Sequence, residues 1–498
     1  MVQQRKMWHV TVSILLFMVI LAPGISSAGI TIATFNQGTG SLSVDGKVIY
    51  RHEFYNWFEA PDQPNDNNDY SYFFTRSLLG LSLTLPNLKA YVQGQDVHMW
   101  GLPDDAVAAA PAGTLGPGAV YYAHGGQEDF HSTIIRQAYL EIPRLFVSGL
   151  SARAGRFDYV DGLEVTYDDP KVKWLKEMRL AERLIGPFTW SSFNRSFDGA
   201  KVVFDHDVFN LTGFASHPTQ GGFENDAHES MEDIDLAAVT LTMKYNKNLC
   251  LPNSEGRLFY MYYGDDRTMA KVDNAPAGSG PNQGDIEIHT IGMHWLATHK
   301  TSSGVLDGIF WGAYQTGDWG TLDHEAWAAA AEMGYQFTQY PWTPWIRAGY
   351  FVSSGDPDPS DGDHETFYQM LPTARKYALF PFFNLMNNED LFVQAIFKPL
   401  QQLSVRSDLH FLRLHEDDDR WYQGAGATRE EDIFGYQGRP SNGDENLGTL
   451  LDITLNYTIN KHFSVMLYGG HMFGSDVIEN SYDDEDASMG YVEVTFAF

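Results

Sequence analysis

The sequence has little of what builds a disulfide-stapled, nucleic-acid-binding or helical protein. Cysteine occurs once, at Cys250, inside the connection "NKNLCLPNSEG". A single thiol excludes an intramolecular disulfide framework and a cysteine-rich metal site. Basic residues are scarce: 33 Lys and Arg stand against 64 Asp and Glu, a formal net charge of −31. Such a chain lacks the clustered cations that hold a phosphate backbone, so nucleic acid is excluded as a partner. Helical periodicity is confined to "PKVKWLKEMRLAERL", and no apolar run beyond the N-terminus is long enough for a membrane-crossing helix.

Catalytic signatures are missing as well. "HESME" at His228 offers one histidine, short of the paired ligands of a His-Glu-x-x-His zinc site. "GSGPNQG" has no strand-to-helix context, and no Gly-x-Ser-x-Gly elbow occurs. The expectation is a protein that is not an enzyme and needs no cofactor.

At the N-terminus, Arg5 and Lys6 precede the apolar run Val10 to Ala22, then Pro-Gly and "SSAG". A basic start, a short apolar core and small residues at a cleavage site describe a Sec signal peptide. We expect it to occupy residues 1–28, with cleavage after Ala28, leaving residues 29–498 as one exported unit.

What is abundant is alternation. "SVDGKVIYRHEF" places Val44, Val48, Tyr50 and Phe54 on one face and Asp45, Lys47, Arg51 and Glu53 on the other. "RSLLGLSLTL", "LKAYVQGQ", "LSVRSDLHF" and "LLDITLNYTI" repeat the pattern. "GYVEVTFAF" sets Val492, Val494, Phe496 and Phe498 against Tyr491, Glu493, Thr495 and Ala497. An apolar edge strand of that kind must be paired and covered. Many segments have the roughly 9–11 residues that a tilted strand needs to cross a bilayer.

The connections alternate in length. Short turns fall near Pro86-Asn87, Pro143 to Val147, His206-Asp207, Asn246 to Glu255, His299 to Ser303, Gln339 to Trp342, Pro399 to Gln402 and Asn460-Lys461. Longer polar segments are centred near residues 62, 115, 175, 225, 275, 320, 370, 430 and 480. The layout implies an all-β fold, a transmembrane antiparallel β-barrel of about 18 strands with short periplasmic turns and long acidic extracellular loops. An even count returns both ends of the barrel to one side, so "TARKYALF" is read as part of the seventh loop. The barrel places the protein in a bacterial outer membrane, among its lipid and lipopolysaccharide. The closing aromatic resembles the signal read by the barrel assembly machinery.

"ARAGRFDYVDGLEV", "ERLIGPFTWSSFNRSFDGAKVVFD", "SSGDPDPSDGDHETFYQMLPTARKY", "LRLHEDDDRWY" and "GTLLDITLNYTINKHFSVMLYGGHMFGSD" together resemble the bacterial alginate export family. The resemblance implies an eighteen-stranded outer-membrane barrel and a pore for an anionic polysaccharide, lined by arginine and lysine, with periplasmic export proteins as further partners. "TYDDPKVKWLKEMRLA" departs from it as an insertion, read as a loop helix over or in the mouth.

Pore selectivity depends on charged rings at the constriction and not on net charge. Parity directs Lys47, Arg51, Arg76, Lys89, Arg195, Lys201, Lys244, Arg347 and Arg406 inward, together with Asp45, Glu53, Asp205, Glu332, Asp408, Asp452 and Glu493. The family motifs add Arg156, Arg183, Arg195 and Asp198. Arg76, Arg156, Arg183, Arg195, Asp198, Lys201, Arg347 and Arg406 are the candidates for pore lining and substrate binding, since a planar guanidinium suits a carboxylate. An inward Arg paired with an inward acid simply filling the lumen is the competing role. "GDPDPSDGD" gathers Asp356, Asp358, Asp361 and Asp363, hard oxygen ligands suited to calcium, although the spacing is not that of an EF-hand. A solvated acidic face is the alternative. Three functions stay open: export of an anionic polysaccharide, diffusion of small anionic or other solutes, and a non-conducting scaffold or adhesin.

Overall fold

The computed structural model describes residues 29–61, 67–246, 252–275, 282–373 and 376–498; the expected signal peptide and Cys250 lie outside these ranges. The main sheet has 20 strands. Two are short additions, Ile30–Phe35 and Asp363–His364. The other 18 form the barrel. They are β1 Gly40–Asn56, β2 Asp69–Leu85, β3 Leu88–Trp100, β4 Phe130–Ile142, β5 Leu150–Phe157 and β6 Phe197–Asp205. Next come β7 Phe209–Pro218, β8 Ile234–Met243, β9 Ser254–Asp265, β10 Ile286–Lys300, β11 Val305–Trp319 and β12 Leu322–Gln336. The last are β13 Trp345–Ser353, β14 Glu389–Leu400, β15 Leu403–Arg413, β16 Asn446–Thr458, β17 Phe463–Gly474 and β18 Ala487–Ala497. Each pairs antiparallel with the next, and β18 pairs with β1 from Lys47↔Ala497 to Asn56↔Ser488. The barrel is closed, which leaves no edge for aggregation.

Parity decides which side of the wall each residue faces. On β1, Tyr50 and Phe54 are exposed outward while Arg51 and Glu53 are buried. On β15, Phe411 faces out while Asp408 and His410 are buried. The outer face therefore offers apolar side chains to lipid. Exposed aromatics sit at both rims: Phe146, Tyr340 and Trp342 at short turns, Tyr314 and Trp327 near the opposite end. Aromatic girdles favour the two interfaces of a bilayer.

One connection differs from the expected layout. No long loop exists near residue 320: β11 and β12, 15 residues each, meet across Gly320 and Thr321. Gly320 has φ +66°, a conformation that glycine adopts without steric cost and that a two-residue hairpin requires. The acids Asp318, Asp323 and Glu325 look like a loop in composition, yet they alternate with Trp319, His324 and Ala326 as strand residues. Asp363–His364 pairs in parallel with Asp323–His324. It comes from the outward segment 354–388, which forms no other strand among its described residues, "TARKYALF" included.

Three outward segments, 158–196, 354–388 and 414–445, contribute buried apolar side chains to the cores inside the barrel. Within the first, Asp169 caps a helix at Pro170–Leu175 by accepting the N–H groups of Lys171 and Val172, each at 3.0 Å. The helix runs on as a single wide turn, Lys176–Leu180. The expected loop helix is therefore in the lumen, and ion pairs attach it to the wall. Lys171 meets Asp307 of β11 at 2.9 Å, Lys176 meets Glu255 of β9 at 2.8 Å, and Arg179 meets Glu332 of β12 at 2.9 Å. Arg347 of β13 bridges Asp307 and Glu332 at 2.7 and 2.8 Å. Removing one partner from an ion pair this deeply buried leaves the other charge uncompensated and is costly.

Glu332 is the shared acceptor of Arg179, Arg183 and Arg347. Glu332→Gln leaves buried guanidinium groups uncompensated and should cost about 3–5 kcal/mol. Urea unfolding of the refolded protein measures this, and unchanged stability would mean that these pairs do not hold the insertion in place.

Candidate functional site

On the inner face of β1–β6 the cations outnumber the acids nearby. Arg51 donates from Nε and Nη2 to Glu493 of β18 at 2.9 and 2.7 Å, and from Nη1 to Glu53 at 3.1 Å. Its guanidinium also lies over the rings of Phe74, Trp190 and Tyr491. Arg76 of β2 stands opposite Ile49, between Lys47 and Arg51. Arg76 is held by oxygens without formal charge: Ser191 O at 2.6 Å, Asn194 Oδ1 at 3.0 Å and Thr189 O at 3.1 Å. Lys47 is exposed and makes no ion pair among the described residues. Further along, Arg136 donates to Gln93 and Asp158, each at 2.6 Å. Arg153 pairs with Glu141 and lies 4.2 Å over the Tyr139 ring. Lys201 completes the row from β6, 5.9 Å over the Phe157 ring. The Arg153 and Glu141 side chains are each 21% exposed, so this part of the wall is wetted.

The opposite half of the wall is charged but dry. Glu255, Asp307, Glu332, Arg347 and Asp408 are buried against the inserted segments. The lumen is thus divided between a basic side, solvent-reaching at Lys47, Arg153 and Lys201, and a dry side whose charges are mostly paired. At the outer mouth the segments 101–129, 219–233 and 414–445 surround a cavity of about 340 Å³, lined by Trp57, His124, Phe223, Gln423 and Tyr436 among others.

The eight pore candidates singled out from the sequence fall in four places. Arg76 and Lys201 stand on the basic wall. Arg347 and Arg406 face inward on the dry half, Arg406 bound to Asp408 and to Tyr377 O at 3.2 Å. Arg183 and Arg195 belong to the inserted segment. Arg183 reaches Glu332 at 3.4 Å, and Arg195 donates to Ala425 O at 2.9 Å. Burial pushes the Arg195 guanidinium down to about 10. Arg156 and Asp198 pair with each other on the outer face, because Arg153 and Phe157 take the inward parity of β5. Carboxylates of the acidic turn accept hydrogen bonds from within the turn itself. Asp356 accepts from Asp358 N–H, Asp358 from Ser360, and Asp361 from Asp363 N–H.

Arg136 and Arg153 were missed from the sequence for different reasons. Arg153 and Arg156 are three residues apart and so must face opposite ways, and the family motif drew attention to the second. Arg136 sits in a bulge, where Gln93↔Gln137 is followed by Gly94↔Ile135. The extra residue lets Arg136 and Gln137 both point inward onto Gln93, which strict alternation forbids.

A model of the alginate export family matches residues 59–492. The chain belongs to the alginate export family. No curated protein sequence matches it. Among solved structures the barrel is similar to Pseudomonas aeruginosa OccK2 (OpdF), with a TM-score of 0.54 and 10% identity over 91% of this chain and 97% of that one. It is also similar to Pseudomonas aeruginosa OpdK with vanillate, at TM-score 0.53 and 9% identity over 91% and 98%. Acinetobacter baumannii OccAB4 gives 0.52 and 11% over 91% and 98%. At these identities the likeness is one of fold. Family and fold together make this protein an outer-membrane channel of the bacterial porin type, pointing to transport and not to catalysis.

Two loop carboxylates join the inserted segments and titrate near neutrality. Asp356 donates its N–H to Asp419 Oδ2 at 3.0 Å, and Asp419 also accepts from Thr366 at 2.6 Å and Tyr422 at 2.7 Å. Burial, and for Asp356 also the charge of Asp419, pushes Asp356 up to about 7; burial pushes Asp419 up to about 6. An unfolded Asp titrates near about 3.9, so the folded state holds more protons between these values and loses stability as pH rises from about 4 to 7. Limited proteolysis within 354–388 should be faster at pH 8 than at pH 5, and Asp356→Asn should remove most of the difference.

Proposed function

We propose that this channel passes carboxylate-bearing saccharide outward from the periplasm, an alginate-like chain moving by passive diffusion along the basic wall of β1–β6. The observation that carries the reading is the run Lys47, Arg51, Arg76, Arg136, Arg153 and Lys201 along one side of the lumen, of which Lys47, Arg153 and Lys201 reach water, facing a side whose charges are mostly paired. A uronate chain repeats a carboxylate along its length. Guanidinium and ammonium groups spaced along the wall would hand it from one to the next, each contact weak enough to release. Arg153, in Glu141's grip, would exchange partners as the chain passes. The acidic outer loops would then repel the emerging polymer and oppose its return.

A second reading rests on the inserted segments. They narrow the lumen, and a narrow basic path also suits small carboxylates; vanillate, seen with OpdK, is one such molecule. Export through a Sec signal peptide is part of both readings.

Single-channel recording of the refolded protein in a planar bilayer separates them. Under a salt gradient the current should prefer anions, and added polymannuronate should block it. Lys47→Glu and Arg153→Glu should each weaken the block about tenfold, the scale of one lost charge-assisted contact of about 1.5 kcal/mol. Anion preference with block by small carboxylates but not by the polymer would favour the second reading. Cation preference that survives neutralising the outer-loop acids would overturn both.

A further inference from the structure

Across the lumen from the basic wall, on β14, β15 and β16, several inward side chains converge without using all their polar atoms. Asp408 stands directly opposite Asp452 in the ladder, with His410 two residues further along β15. One ligand atom from each of Asp408, His410 and Asp452 lies within 4.8 Å of the other two. All three residues are buried, 1%, 0% and 2% exposed. Nδ1 of His410 is taken by Asp390 of β14, 3.0 and 2.9 Å from its two oxygens. Nε2 is the nitrogen left for the cluster, and among the described residues it has no hydrogen-bond partner; neither has Oδ1 of Asp408. The second oxygen of Asp408 is held by Arg406, while Asp452 accepts from Tyr468 and from the Leu379 N–H.

With its Nδ1–H donated to Asp390, a neutral His410 would present an Nε2 lone pair to two buried carboxylates. Acceptors facing acceptors out of water are costly, so something positive belongs between them. Asp390, Asp408 and Asp452 converge here with Arg406 as the one arginine bound to them among the described residues, an acid-rich setting that suits a divalent cation. A carboxylate behind the far nitrogen of an imidazole is the usual support of a metal-bound histidine, fixing its tautomer and orientation. One imidazole nitrogen with two carboxylates suits zinc-like transition ions better than calcium or magnesium, which take oxygen ligands. Bond lengths of about 2.0–2.2 Å would draw the ligand atoms closer by small side-chain rotations.

We propose that Asp408, His410 and Asp452 form a divalent transition-metal site of the zinc type in the barrel wall, with Asp390 as a positioning residue. The site also explains why segment 354–388 comes to rest here. Asp452 holds the Leu379 N–H and Arg406 holds the Tyr377 carbonyl, so metal at the cluster fastens the insertion to the wall.

The test uses the full chain refolded in detergent, stripped with a chelator and titrated with zinc chloride in a calorimeter. Cobalt chloride serves as an optical reporter of coordination. One equivalent of zinc should bind. Asp390→Asn should weaken it about 10–100-fold, and His410→Gln or Asp408→Asn should abolish it. His98→Gln alters the other His/Asp cluster, Asp96–His98–His131, on the outer face, and should leave this binding unchanged. Uptake of one equivalent by the wild type that persists in His98→Gln assigns the zinc to this cluster even if a variant at the site fails to fold. No zinc uptake by the wild-type protein would overturn the site, as would uptake indifferent to His410→Gln. So would nitrogen NMR showing His410 doubly protonated in the presence of zinc.

Discussion

Inside hydrocarbon no water is available to a backbone N–H or C=O, and each one left unpaired costs several kcal/mol. A sheet meets that demand only by closing. The final rung here is the exchange between Gly46 and Phe498, whose N–H groups donate to each other's carbonyls at 3.1 and 2.9 Å. Closure gives every strand an inside and an outside, and alternation becomes obligatory because a slip of one residue would turn every side chain to the wrong face. The apolar outer parity, the charged inner parity and the rim aromatics all follow. The bulge at Arg136 shows how narrowly the rule can be relaxed: one extra residue, compensated by hydrogen bonds from both Arg136 and Gln137 to Gln93.

The interior then has a problem of its own. A barrel this wide cannot be filled by wall side chains alone, and loops that fold into it bring charge with them. The structure answers by sorting. Where the segment 158–196 descends, each of Lys171, Lys176 and Arg179 meets an acid on the wall, and the region is dry. On β1–β6 the far end of the same segment caps Arg51 and Arg76 with neutral groups, while Lys47, Arg153 and Lys201 remain within reach of water. The strongly negative net charge of the chain therefore says little about the pore, because most of the acids lie in outward segments.

How much of this was legible in the sequence varied by element. Strands such as β1, β15 and β16 were plain, since lipid on one side and polar lumen on the other enforce a two-residue period. The turn at Gly320 was not: Asp318, Asp323 and Glu325 gave a loop-like composition to residues that alternate as a strand, and local charge outweighed period. Among the site residues, Arg76 and Lys201 were placed on the wall by parity. Arg156 came from a motif, and the motif carried no direction.

The sequence by itself determined the barrel, its strand number and the facing of nearly every strand residue, because these follow from local alternation repeated along the chain. Tertiary structure alone decided which inward charges are free. Whether Arg347 is a pore residue or a buried partner depends on Asp307, Glu332 and a helix from a distant segment. Whether Asp408 meets His410 and Asp452 depends on the register between β15 and β16. Those relations join residues far apart in the chain, and no period within a strand encodes them.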